Sequence, residues 1–578
     1  MAFQLSPGVL VQEKDLTAIV PSVATSAGAF AGAFQWGPVG EVTTVDSENN
    51  LVKYFGGPND VNFASFFTAA NFLSYGNNLK LVRVVNESVA KNAIANASAN
   101  AIVIKNTDDF LSSRSIGGYG LGEFAAKYPG DLGNSLKVAM VDANTWAAYN
   151  GFAGNAWPYQ SEFNSAPGTS TYASALSGSN DELHVIVIDE DGAWSGIRNT
   201  VLEKYPYVSK ASDAKNTDGS SNYYKDVVNN QSAYVWSIDH PISTTGNTIG
   251  WGSSVAGRMF GNLSTTVSVS LSNGVSDEAN ITAGNVISGF SLFGNDELYD
   301  VSLIPLGPWS NTASIVSTAV AIAEDRKDCV VFLSPSLESV VNVTPSAQAT
   351  NVVNWRNSST TNGGVNSSYA VMDSGWKYQY DRYNDKYRWI PLNGDIAGIC
   401  ARTDDVSESW FSPGGFSRGQ IRNVVKLAFN PSKTDRDTLY KAGVNPVVAF
   451  PGQGTVLFGD KTMLAKPSAF DRINVRRLFI VLEKAIATAS KFQLFEFNDP
   501  FTRNQFKNIV EPFLRDVQGR RGITEFKVVC DETNNTQEDI KNQVVNVDIY
   551  GEIISPIEKI ITDITATEVE PEWIGEVL

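Results

Sequence analysis

Two α/β-patterned segments flank a long stretch built on a different plan, and this interruption limits the folds open to the chain. Before Asn86, "EVTTV" (41–45) reads as a strand, and "DVNFASFFTAANFL" sets Phe63, Phe66, Phe67, Ala70 and Leu73 on one helical face. "NLKLVRVV" follows as a buried strand. After Leu298 the plan resumes: "LYDVSLIPLG" reads as a strand, "SNTASIVSTAVAIAEDR" as a helix and "DCVVFLSP" as a strand. Such a βαβ unit is expected to cross over right-handedly. Between them, from Asn86 to about Asp296, the chain is rich in Ser, Thr, Asn and Gly. Only eleven of its 44 Lys and Arg residues fall in 86–300. Short alternating runs such as "LHVIVIDE" and "TTVSVSLSNG" point to strands there. The fold class implied is α+β or α/β and multidomain, with an α/β core made from both ends of the chain and a β-rich insertion. At 578 residues, three or four domains are expected.

The divisions expected are an N-terminal arm at 1–22, a first core part at 23–85, inserted β-rich domains at 86–296 and a second core part at 297–465. A C-terminal domain at 466–543 and a strand with an acidic tail at 544–578 complete the chain. Two long helices are expected late in the sequence. One runs from about Ser468, as N-cap, through "SAFDRINVRRLFIVLEKAIATASKF". The other, "NDPFTRNQFKNIVEPFLRDVQGR", takes Asp499 as N-cap and Pro500 as its first residue. "ITEFKVVCDE" and "QVVNVDIYGEI" then read as strands.

In "GWKYQYDRYNDKYRWIPLNGD" (375–395), Trp376, Tyr378 and Tyr380 alternate with Lys377, Gln379 and Asp381. Period two, a turn at Asn384-Asp385 and a second run from Tyr387 to Ile390 read as a β-hairpin with an aromatic face and a charged face. Aromatics beside cations also suit single-stranded nucleic acid. Here Asp373, Asp381, Asp385 and Asp395 balance Lys377, Arg382, Lys386 and Arg388, which argues against a phosphate platform. A half-buried structural hairpin or a protein-facing surface remains.

The formal charge of −17 argues against duplex nucleic acid and anionic membranes as partners. It is unevenly placed. Residues 531–578 hold twelve acids against Lys541 and Lys559, whereas 470–527 hold eleven cations against seven acids. Cys329, Cys400 and Cys530 lie far apart in apolar surroundings, as buried free thiols do. The first residues lack a basic segment followed by an apolar one, so no signal peptide is expected, and a cytoplasmic product is. Residues 16–40 carry no charge but are too polar for a membrane span.

A catalytic set is hard to find. His184 and His240 stand outside any zinc-ligand spacing. "IDEDGAW" (188–194) holds a fragment of a calcium loop without its later ligands and reads as a hairpin turn. "GQGTVLFGDKT" nearly spells a phosphate loop, but Asp460 displaces Lys461 and sets a carboxylate where phosphate oxygens would lie. "GGYGLGEF" (117–124) reads as a loop. No catalytic, cofactor or metal site is assigned. Trp146, Trp157 and Trp194 suit core packing, with a carbohydrate-binding surface in the insertion as the alternative. A hydrolase is the competing reading of another class.

The segments "AVMDSGWKYQYDRYNDKYRWIPLNGDIAGICARTD", "SPGGFSRGQI", "LYKAGVNPVV", "GQGTVLFGDKT", "SAFDRINVRRLF", "FEFNDPFTRNQF" and "RRGITEFKVVCDETNN" resemble the tail sheath family of T-even-like myoviruses. "SPGVLVQEKD" and "KYPGDLGNSLKV" are similar to it as well. The resemblance implies a non-enzymatic subunit that stacks in hexameric rings around a tail tube and contracts. Its implied partners are further copies of itself, the tube protein, and baseplate and tail terminator proteins. It implies a place in the virion after assembly in the host cytoplasm, with the insertion projecting outward and terminal arms adding strands to neighbouring subunits. The sheath of a related contractile particle, a bacteriocin or secretion apparatus, is the alternative within the class.

On this reading the candidate subunit-interface residues are Val9 and Val11 in the first arm, and Arg472, Arg476 and Arg477 on one helix. Arg520 and Arg521 follow the next helix, Ile549 and Tyr550 lie in the last strand, and Ile560 lies beyond it. Arg472 and Arg476, four apart, are expected to share a helical face. Where the family carries a basic segment before its final strand, this chain has "SPIEKI" (555–560), which removes the basis for the usual charge pairing there. That stretch also matches a capping box, but its Ile and Thr content favours a strand.

Overall fold

The computed structural model describes residues 23–113, 120–148, 157–241 and 248–554. They form two compact units. The larger comprises Ala24–Ser409 and Pro413–Val481; the smaller takes Val23, Trp410–Ser412 and the chain from Leu482. The fold is a mixture of helices and several small sheets.

The main sheet of the larger unit contains β1 (Gly28–Gly32), β2 (Val42–Val45), β3 (Leu79–Arg83), β10 (Leu303–Pro305), β11 (Val330–Leu333) and β12 (Ala370–Met372). Their order is β12-β11-β10-β1-β3-β2, parallel throughout except for β2 at the edge. The chain leaves this sheet after Arg83 and rejoins it at Leu303. Parallel sheets are covered on both faces, so their strands are apolar without alternation. β1 shows how: a Cβ on Gly28 would lie 2.5 Å from the Phe72 ring, while on the opposite face Ala31 meets Gly289.

The helix Phe63–Leu73 differs from its one-faced expectation. Ser65 through Phe72 are all buried, polar Thr68 and Asn71 included. The helix lies between the sheet and the helix Asn393–Val406, so it has no solvent side in its middle turns. The close approach requires glycine. A Cβ on Gly394 would stand 2.6 Å from the Thr68 carbonyl oxygen, and one on Gly398 would stand 2.6 Å from the Tyr75 ring.

Between β3 and β10 the chain builds β4 (Phe124–Ala126) paired with β8 (Val235–Ser237). It also builds an antiparallel sheet in the order β7-β6-β5-β9 from β5 (Leu136–Asp142), β6 (Glu182–Asp189), β7 (Thr200–Ser209) and β9 (Val267–Ser270). Val138, Met140, Val185 and Val187 belong to one apolar core. Their neighbours Ala139, Val141, Ile186 and Ile188 pack with Trp146, Trp157 and Phe163 in another. These two tryptophans are therefore core residues, and Trp194 packs against the first core. The "IDEDGAW" turn joins β6 to β7 as expected. The Asp189 carboxylate accepts from Ser135 Oγ, Ser195 Oγ and the backbone N–H groups of Gly192, Trp194 and Ser195. Burial opposes its charge, but these bonds hold its pKa below the usual range.

Later come β13 (Trp376–Asp381), β14 (Lys386–Pro391) and β15 (Lys426–Leu427) in one sheet, and the pair β16 (Val447–Phe450) and β17 (Gly454–Leu457). The smaller unit holds the helix Pro500–Gly519 and the antiparallel pair β18 (Ile523–Val529) and β19 (Asp548–Ile553). Asp499 caps that helix as expected, accepting from Thr502 N at 2.8 Å ahead of Pro500. All three cysteines are buried free thiols.

Candidate assembly surfaces

The hairpin of β13 and β14 forms in the expected register, with Tyr378 opposite Trp389 and Tyr380 opposite Tyr387. Its charged face is the one turned inward. Lys377, Gln379 and Asp381 are buried, whereas Tyr380 and Tyr387 are 44% and 53% exposed. Remote partners make this arrangement tolerable. Lys377 Nζ donates to Asp395 Oδ1 at 2.9 Å and to the Arg422 carbonyl at 2.9 Å. Tyr75 Oη donates to the same Asp395 oxygen and accepts from Arg422 N, which closes a ring of bonds. Burial pushes the Lys377 pKa down and that of Asp395 up, and each charge offsets part of the other's shift. At the far end, Arg388 donates to Asp381 and Asp60 and lies over the Phe63 ring. On the outward face Tyr378 stacks on Tyr387 and meets Trp389 at a tilt, with Lys426 Nζ over Tyr378.

The segment resembling a phosphate loop has another geometry. Gly454–Leu457 is β17, paired with β16, and no helix follows directly. Asn445 clamps the next turn, accepting from Lys461 N and donating to the Lys461 carbonyl. Asp460 instead covers the start of the helix Ile473–Ser490. Its carbonyl accepts from Ile473 N and its Oδ1 from Asn474 N. The carbonyl and carboxylate of Asp460 thus occupy helix N–H groups that an anion would use.

The expected helix start and the shared helical face of Arg472 and Arg476 need correction. Ser468 caps only a short turn, Ala469–Asp471, and the α-helix starts at Ile473. Arg472 is extended and lies outside it, so it shares no helical face with Arg476. Its side chain meets Asp471 and Tyr440 Oη. Arg476 is buried between the Tyr369 and Phe470 rings, 4.1 Å from each, and donates to Tyr369 Oη and Ser368 Oγ. Arg477 is buried on both oxygens of Asp404 and on the Cys400 carbonyl. Inward pairing occurs because Ser368, Tyr369 and Asp404, all remote in sequence, line the helix.

Arg520 and Arg521 are exposed, and Arg520 pairs with Asp516 one turn back. Arg521 ends the helix in a left-handed conformation with φ +66, so that Gly522 N reaches the Val517 carbonyl. On β19, Ile549 is half-buried and Tyr550 exposed. Val9, Val11 and Ile560 lie outside the described residues, as does the strand expected at 555–560.

One surface escaped the sequence reading. Phe492, Leu494, Phe495 and Phe497, between the two long helices, and Phe501, in the first turn of the second, are all exposed, from 62% for Leu494 upward. Exposed apolar side chains in such number are uncommon on a protein surface. The only sequence signal was "KFQLFEF", an apolar run with the period of neither helix nor strand. Among the described residues there is no metal-binding group and no helix long and apolar enough to cross a membrane.

Known proteins match this chain along nearly all of it. Family models for the phage tail sheath protein central domain, the phage tail sheath C-terminal domain and the tail sheath protein Gp18 domain III N-terminal region match residues 292–463, 465–567 and 28–84. The tail sheath protein of Vibrio phage KVP40 is 32% identical over 98% of this chain and 99% of that protein. That of Enterobacteria phage T4 is 34% identical over 92% and 93%. Among solved structures, the sheath tail protein of Desulfitobacterium hafniense has a TM-score of 0.54 at 13% identity, covering 96% of this chain and 98% of that one. These sequence matches span both described units, and the chain belongs to the phage tail sheath protein family.

Proposed function

We propose that the protein polymerises as stacked hexameric rings around a tail tube in the virion, and that this sheath shortens to drive the tube through the host envelope. One observation carries the reading. Among the described residues β18 and β19 pair only with each other, so no described strand covers either outer edge of that sheet. An open edge invites aggregation unless something covers it, and an added strand from a neighbouring copy does so. Backbone bonds of this kind ignore side-chain detail, so they survive large rotations of one subunit against the next. Head-to-tail contacts give rings or helices, as a tube needs. Shortening then requires two packings of the same subunits separated by a barrier.

In this reading the core comes from 23–85 and 297–465, the insertion at 86–296 projects outward, and residues 1–22 and 544–578 serve as arms. Tyr550, Ile549, Arg520 and Arg521 lie at subunit contacts, joined by Val9, Val11 and Ile560 of the arms. The tube, baseplate and terminator proteins are the further partners, the subunits assemble in the host cytoplasm, and the work is mechanical, without a cofactor. Electron microscopy of the purified protein tests this. Tubes of stacked rings are expected from the full chain, and none from chains lacking residues 1–20 or those after Ile554. Regular tubes from either shortened chain would refute the arms as linkers.

A further inference from the structure

The larger unit carries a cleft of about 460 Å³ whose lining is unusually basic for an acidic chain. Arg356 and Lys441, from the last turns of the helices Pro345–Asn357 and Lys433–Lys441, line it together with Lys461, Lys466 and Asp471. Asp471 is its only lining carboxylate, and Arg472 at 3.2 Å and Lys461 at 3.7 Å already engage it.

Arg356 is the telling member. It is 7% exposed, its Nη2 donates to the Met463 carbonyl at 2.7 Å, and its Nε has no partner. Two other buried guanidinium groups, those of Arg83 and Arg477, are well matched. Arg83 donates to the carbonyls of Phe34, Gln35, Gly37 and Pro129, and Arg477 grips both oxygens of Asp404. Burial alone pulls the Arg356 pKa down, with no facing carboxylate to restore it. A buried cation without a counter-charge is costly, and a bound anion removes that cost. The negative ends of the two helices converge here but supply only partial charges.

We infer that this cleft is a carboxylate-binding site, filled in the assembly by the acidic C-terminal stretch (531–578) of a second copy of the chain. That stretch holds twelve acids against two lysines, and the site concentrates four cations on a chain of net charge −17. Guanidinium and ammonium groups together suit carboxylates at close range. The inference rests on the proposed polymerisation for its source of partner, but the site itself can be tested without tubes.

The test measures fluorescence anisotropy of a labelled peptide of residues 561–578 with the full, unpolymerised chain. Saturable binding is expected, lost when the peptide's Asp and Glu become Asn and Gln. It should weaken by about tenfold or more in Lys441→Glu with Lys466→Glu, two exposed positions that leave the fold intact. Arg356→Met should lose binding and, if it folds, melt no lower than the parent, since an unpaired buried charge has gone. Equal binding by the lysine variant, or none by the parent, overturns the site. Inorganic phosphate binding with the same variant dependence, while the peptide fails, overturns the peptide as ligand. Binding only after the chain is shortened at Ile554 would mean that its own tail fills the cleft, and overturns the second copy. Tubes formed normally by the lysine variant would sink the lattice role of the site and leave polymerisation standing.

Discussion

Lys377 Nζ lies 2.9 Å from Asp395 Oδ1, and both side chains are fully enclosed. The pair pins the hairpin to the core through Tyr75 and the Arg422 backbone. Breaking one partner leaves the other charge buried. Lys377→Met should therefore destabilise the protein by about 3–5 kcal/mol. Lys377→Met with Asp395→Asn should recover a large part of that loss. Urea denaturation of the three proteins gives the comparison, and additive losses in the double variant would show that the two groups do not act as a pair.

Gly394 is where the two central helices touch. A methyl group there would meet the Thr68 carbonyl oxygen at 2.6 Å, backbone that cannot swing away. Gly394→Ala should cost about 1–3 kcal/mol despite the better helix propensity of alanine. A melting temperature at or above that of the parent would mean the helices can separate without loss.

His240 supplies a pH signature. Burial, with Lys225 beside it, lowers its pKa from the usual 6.5 to about 4. Tyr224 Oη lies 2.7 Å from its Nδ1, a hydrogen bond that the neutral ring can make. With the folded pKa depressed, the unfolded chain takes up the proton first. The stability that neutral His240 provides is complete above about pH 6.5 and is lost progressively as pH falls toward 4. His240→Gln should show a smaller loss of melting temperature across that window. Parallel pH profiles for parent and variant would contradict this.

Arg521 occupies a left-handed position at the end of a helix, which glycine takes without strain. Arg521→Gly should raise stability by about 1 kcal/mol. If the arginine is a subunit contact, the same variant should assemble less well, so that stability and assembly move in opposite directions. Higher stability with unchanged tubes would remove Arg521 from the interface.

The exposed phenylalanines predict a loss of assembly with stability unchanged. Phe495→Ser with Phe497→Ser removes little burial within the chain, so circular dichroism and melting should stay close to those of the parent. Tube formation, followed by electron microscopy, should fall sharply. Unaffected tubes would mean that the patch faces no neighbour.

Much of this molecule was legible without coordinates because its causes are local. Alternating residues make the hairpin at 376–391 a strand pair whatever surrounds it. Asp499-Pro500 starts a helix through groups within three residues. Asp460 breaks the phosphate loop by its position alone, and the interrupted α/β plan matches a chain that leaves one sheet at Arg83 and returns at Leu303. Periodicity could not say which hairpin face turns inward, because the counter-charges that admit Lys377 and Arg388 sit on Asp395 and Asp60, and Asp381 is admitted only by Arg388 held in place this way. Nor could spacing reveal that Arg476 and Arg477 point into the chain, since Ser368, Tyr369 and Asp404 reach them only after folding. A charged side chain is exposed unless a partner is supplied from elsewhere, and where that partner comes from is a property of the tertiary structure.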